Sequence, residues 1–187
     1  KQINMACNPL LTADIVNSCT TLPVKGLKAK AWAFNRSEVT LTITDNKVTA
    51  IALASGKTSF TVEGFKDFMN AGHEAVIAED KPTSFKHKWT LNTYAATAAE
   101  KKNIDKADNL IVIVERNGAK NETSFIVLGA NNGIWKTAQS AMANDNSGVS
   151  AIEFATRDDQ GEEYSEYVFW NTNYATTLAA LVATETV

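Results

Sequence analysis

Histidine is nearly missing from this chain: His73 and His87 are the two in 187 residues. Neither has a second histidine, a cysteine pair or a carboxylate at ligand spacing, so no metal motif can be read from the sequence. His73 lies in a glycine-flanked stretch. His87 shares a strand face with Phe85, Trp89 and Leu91, which makes it a satisfied inward imidazole or an interface residue. Cysteine is equally scarce. Cys7 and Cys19 cannot make a disulfide framework, and a helix over 9–18 would hold them too far apart for a bridge. Two free thiols and a reducing compartment are the expectation. No stretch approaches the roughly 20 apolar residues that cross a bilayer, and "KQINMACNPLL" has one lysine and no continuous apolar segment, so neither membrane insertion nor a secretion signal is expected. The net charge is −3 and no basic run exists, against the basic face of a duplex or membrane binder.

Reactive constellations are missing as well. "DDQGEE" groups Asp158, Asp159, Glu162 and Glu163, yet no register supplies the alternating oxygen ligands of a calcium loop. A hydrated, mutually repelling hairpin tip, exposed or lining a channel, is the expectation. "NDNSG" at 144–148 fails the same test. No serine stands in a nucleophile elbow. "GANNG" at 129–133 has two glycines but lacks the lysine and following helix of a phosphate cradle, and reads as a turn. Trp32, Trp89, Trp135 and Trp170 invite a stacking surface for single strands, but no basic groove interleaves them. They are expected in the core or at a subunit contact. No catalytic residue, cofactor or metal ligand is assigned.

What is there is structure. An apolar content of 44% and a charged content of 21% are ordinary for a globular chain, and a chain this long buries roughly 70% of its unfolded surface. Asn8-Pro9 starts a helix over 9–18 with Leu11, Ile15 and Cys19 on one side. "LKAKAWAF", "EVTLTIT", "VTAIAL" and "TSFTVEGF" read as four strands of an antiparallel meander. Residues 64–81 read as an extended hairpin arm or a loop. "TSFKHKWTLNTY" alternates as a long half-buried strand with Lys86 and Lys88 on its polar face. Thr97 and Glu100 form a capping box that opens a helix of about ten residues. "NLIVIVERNGAKNETSFIVLGANNG" is the clearest hairpin. "KTAQSAMANDNSG" reads as a loop, and "VSAIEFAT" with "SEYVFW" as a last strand pair around the acidic tip. Tyr174, Leu178, Leu181 and Val182 mark a C-terminal helix capped by Asn171 or Thr172.

The expected fold is therefore mainly β (α+β). One domain spans 1–187: an antiparallel β-sandwich or near-barrel with one flanking helix, an N-terminal arm over 1–23 and a C-terminal helix over 171–187. Candidate subunit contacts are Leu10, Leu11 and Ile15 in the arm, and Phe65, Phe68 and Met69 in a loop that could insert between subunits.

Several stretches in this order carry a resemblance: "GLKAKAWAFNRSEV", the β strands, the helix between strands, "FIVLGANNGIW" and "YVFWNTNYATTLAALV". Together they resemble phage virion proteins of the tail-tube type, in the versions found in viruses and prophages of gut Bacteroidetes. The resemblance covers most of the chain as a diffuse pattern of strand starts and turns. It implies a non-enzymatic virion subunit that pairs strand edges with copies of itself. The product would be a ring, with a hexamer as one option, or a stacked tube, and DNA would pass through without specific binding. Other tail or neck proteins would be partners, and assembly would take place in the host cytoplasm. Lys86 and Lys88 sit poorly with an inert channel wall. The alternative is a β-sandwich module that binds a carbohydrate or protein surface through exposed aromatics.

Overall fold

The computed structural model describes residues 15, 25–64, 69–79, 81–94, 97–118, 120–142 and 149–185. Among these residues eleven strands and two α-helices follow in the order β1 (Leu27–Asn35), β2 (Val39–Thr44), β3 (Lys47–Leu53), β4 (Phe60–Glu63), β5 (Met69–Ala78), β6 (Lys81–Thr93), α1 (Ala98–Lys106), β7 (Leu110–Arg116), β8 (Phe125–Leu128), β9 (Trp135–Ser140), β10 (Ser150–Ala155), β11 (Tyr167–Phe169) and α2 (Tyr174–Ala183). They build two open sheets, β2-β3-β11-β8-β7-β1-β4 and β5-β6-β10-β9. The fold is mainly β, a sandwich with flanking helices and no closed barrel.

Two cores explain why the chain has the patterns it has. Between the sheets, Ala31, Ala33, Val112 and Leu128 of the large sheet meet Trp89, Leu91, Ile152 and Phe154 of the small one. On the other side of the large sheet, Trp32, Phe34, Ile111, Ile113 and Phe125 are joined by Leu181 of α2. The large sheet is thus covered on both faces, and its central strands lose the alternation of a half-exposed strand. The apolar run of β7 follows directly: Leu110 to Glu115 are all buried. Each such Ile, Val or Leu contributes about 1.5–3 kcal/mol of burial before chain entropy is subtracted. The small sheet keeps one wet face, so β6 alternates cleanly.

The helices are fixed by their ends. In α1 the Thr97 side chain accepts from the Glu100 N–H and the Glu100 carboxylate accepts from the Thr97 N–H, as the sequence predicts. Lys136 of β9 donates to the carbonyls of Ile104 and Asp105 at the other end, where the helix dipole favours a cation. The cap of α2 is Asn173, whose side chain accepts from the Thr176 N–H. Asn171 and Thr172 are not the cap: Thr172 takes a positive φ of 57° and leads the chain into the helix.

Strand pairing departs from the sequence reading in three places. The first four strands are not a meander. β2 and β3 form a hairpin, but β1 lies between β4 and β7, and β3 pairs in parallel with β11. Residues 136–140 are not loop but β9, whose short polar run pairs with β10. Finally, β10 and β11 do not pair. The first joins β6 and β9, the second joins β8 and β3, and the acidic segment crosses from one sheet to the other. Of the stretch 64–81, the described residues 69–78 take the hairpin-arm option, since β5 pairs with β6 along its length.

Candidate functional site

Two polar arrangements stand out, one buried and one exposed. The buried one joins the sheets. His87 is fully buried, its Nδ1 accepts from the Gly129 N–H at 3.2 Å and its Nε2 lies 3.0 Å from the Tyr164 carbonyl. A donor on one nitrogen and an acceptor on the other define the neutral imidazole protonated at Nε2. Burial holds its pKa below the usual value, opposed by the carbonyl bond. His87 is thus the satisfied inward imidazole.

Glu162 corrects an expectation. It is not an exposed or channel-lining charge: it is 0% exposed, because the 129–133 turn takes it in. Its carboxylate accepts from the backbone N–H of Asn132 at 2.9 Å and of Asn131 at 3.2 Å, while its own backbone pairs both ways with Phe85. "GANNG" does cradle an oxyanion, one supplied by the chain itself. The turn needs its glycines: Gly129 has φ 69° and a Cβ there would stand 2.6 Å from the Gly133 carbonyl carbon. Burial pushes the Glu162 carboxyl above its usual range, and the two N–H groups with Arg36 pull the other way. Nearby Tyr167 is pushed up to about 12, by burial first and then by the Glu162 charge. The bonds of His87 and Glu162 hold loop 156–166 against both sheets.

The exposed arrangement is the outer face of the small sheet. Lys86 and Lys88 do lie on the polar face of β6, and each is matched by an acid. Lys88 pairs with Glu74 of β5 at 2.5 Å and Lys86 with Asp158 at 2.5 Å. The lysines hold both carboxyls below the usual carboxylate range. Asp159 and Glu163 are exposed beside them, so three of the four tip acids are where the sequence puts them. At the β9 end of this face, Arg157 lies over the Trp135 ring with its guanidinium carbon 3.6 Å from the centroid. The two line a groove of about 520 Å³ together with Lys86, Asp108 and Asp158. The Trp135 Nε1 is buried without a hydrogen-bond partner.

Each sheet ends in two strands with no further partner among the described residues: β2 and β4 in the large sheet, β5 and β9 in the small one. From Gly72 to Ile77 every residue of β5 is exposed, with Ile77 at 80% and Val76 at 37%.

Of the proposed contact residues, Ile15 is 87% exposed. Met69 is a correction: it does not lie in an inserting loop but is 6% exposed in the inter-sheet core, because the inward face of β5 begins there. Leu10, Leu11, Phe65, Phe68 and both cysteines lie outside the described residues. Sequence reasoning missed Arg157 and Trp135 as a pair, since Trp135 opens β9 and Arg157 follows β10, and no local spacing links them. Among the described residues no group of three His, Cys, Asp or Glu could hold a metal ion, and no helix is long and apolar enough to cross a membrane.

No protein-family model matches this chain, and neither a curated protein nor a solved structure matches it. The class that the fold defines is a mainly-β sandwich of two sheets with flanking helices.

Proposed function

We propose that this chain is a non-enzymatic structural subunit of a tailed-phage virion. It assembles into a homomeric ring, alone or stacked as a tube, around the channel through which DNA leaves. One observation carries the reading: among the described residues the small sheet has two unpaired edges and a wet face whose lysines are individually neutralised.

Its strands alternate in direction in the order β5, β6, β10, β9. Rotation about an axis running along the strands keeps those directions. It therefore sets β9 of one copy antiparallel to β5 of the next, and a ring of copies becomes one continuous antiparallel sheet. Such a contact joins two different surfaces and closes when the rotation closes. It also removes both edges of the small sheet, which otherwise offer unpaired N–H and C=O groups to any strand. The core-facing side then looks outward and the Lys86–Lys88 face lines the channel. A cationic wall would bind phosphates and release counterions; paired lysines do so weakly, and DNA slides.

The binding-module alternative has less support, because Trp32 and Trp89 are fully buried and leave only Trp135 and Trp170 half-exposed. Negative-stain microscopy and light scattering at high protein concentration test the assembly. Rings or tubes are expected, and a monomer mass with no ordered particles removes the proposal.

A further inference from the structure

The registers of the small sheet place four residues at one level: Trp135, Ala155, Lys88 and Gly72, each opposite the next on neighbouring strands. All four belong to the outer face, the face of Lys88. Trp135 stands on one free edge of the sheet and Gly72 on the other. Gly72 is an opening on that face: a Cβ there would meet nothing within 4 Å, and its φ is not in the left-handed region. A glycine in a strand interior costs stability without returning packing, unless another group covers it. Two residues further on, opposite Lys86, β5 carries Glu74, and Arg157 follows two residues after Ala155, where β10 ends.

We infer that Trp135 and Arg157 form a seat for β5 of a second copy of this chain. Trp135 covers Gly72 of that copy, and Arg157 pairs with its Glu74. This rests on the ring reading, and it names the contact that fixes the register between copies. Within the described residues of one molecule the groove is unfinished. Arg157 has no ion pair or hydrogen bond through its guanidinium, and the Trp135 Nε1 has no acceptor. The occupant must be a strand that is open at one residue and acidic at the next outward position, and β5 has that order. A bulky aromatic over a cross-strand edge glycine shields the bare backbone and fixes the register. Glu74 is 62% exposed at its side chain and already shares Lys88, so Arg157 would complete a three-membered charge network across the joint. A strand paired one residue out of step turns its outer face to the core, and would set the indole against His73 or Ala71.

The test uses full-length protein and assembly measured by sedimentation. Gly72→Val starts from a Cβ that meets nothing within 4 Å, so the monomer is expected to keep its fold, with an unchanged circular dichroism spectrum as the control. Its assembly threshold is expected to rise by about tenfold or more, as for a residue at the centre of an interface. Arg157→Glu and Glu74→Lys are each expected to raise the threshold, and the double exchange to recover most of it. Wild-type protein that stays monomeric overturns the ring reading itself. Wild-type protein that assembles, with Gly72→Val and Arg157→Glu assembling equally well, overturns this seat and leaves the ring standing.

Discussion

The backbone N–H of Gly129, the residue that follows β8, donates to Nδ1 of His87 in the middle of β6 at 3.2 Å. This bond crosses from the large sheet to the small one, and the neutral imidazole is what makes it possible. A proton on Nδ1 would set a donor against a donor.

The first prediction concerns that ring. Its folded pKa lies below the ordinary value, so its share of stability is complete above about pH 6.5 and is lost as pH falls through that value toward the folded one. His87→Leu should cost about 1–3 kcal/mol at pH 8, because the Gly129 N–H and Tyr164 carbonyl are left unpaired. The gap between wild type and variant should narrow from pH 7 to pH 5. Urea midpoints across that range check it, and parallel pH slopes would sink the assignment.

Glu162 acts in the opposite sense. Its carboxyl is raised, so its contribution is full below the usual carboxylate pKa and fades as pH rises through the folded value. Glu162→Gln, which keeps an acceptor and drops the charge, should therefore gain on wild type between pH 4 and pH 8. Glu162→Ala should lose about 1–3 kcal/mol at pH 4, since two buried N–H groups lose their acceptor, and that gap should narrow toward pH 8. Thermal midpoints of the three proteins decide it.

Two glycines with similar φ should respond differently to alanine. Gly129 and Gly56 have φ of 69° and 71°, but only Gly129 is hemmed in by backbone, while a Cβ at Gly56 meets nothing. Gly56→Ala should cost about 1–2 kcal/mol, the left-handed penalty alone. Gly129→Ala should cost clearly more, through loss of the cradle for Glu162. Equal denaturation midpoints would contradict the close packing of the turn.

The last prediction tests charge balance on the outer face of the small sheet, the proposed channel wall. Wild-type assemblies should bind DNA weakly in 150 mM salt. Removing both acids that neutralise the lysines, with Glu74→Gln and Asp158→Asn, frees Lys88 and Lys86. Sequence-independent DNA binding should then appear and weaken with salt, with a log–log slope of about −0.9 for each phosphate contacted. Retardation assays over a salt series read this directly. Unchanged binding would mean that the two lysines do not face the DNA.

Much of the local structure was legible in the sequence, because the signals for it are local. The Thr97–Glu100 box fixes the start of α1. The alternation Phe85, His87, Trp89, Leu91 predicts the inward face of β6, and Lys86 and Lys88 its outer one. Chain partners were not legible. β1 contacts β4 and β7 rather than β2, and nothing within "LKAKAWAF" encodes that choice. The polar run "WKTAQS" reads as loop because its strand character comes from pairing with β10 and not from its own composition. Trp135 and Arg157 meet only because that pairing exists.

By itself, then, the amino-acid order determined the strands and helices whose apolar side chains repeat every 2 or 3.6 residues, and which side of them faces the core, because side chains follow backbone geometry; the polar strand β9 it did not. Tertiary structure alone decided that Glu162 is buried while Asp158 and Asp159 are not. Ionised carboxyls are buried only where donors converge on them, and those donors sit on a turn about thirty residues earlier in the chain. Such convergence depends on how two sheets meet, a relation between distant segments that no local pattern records.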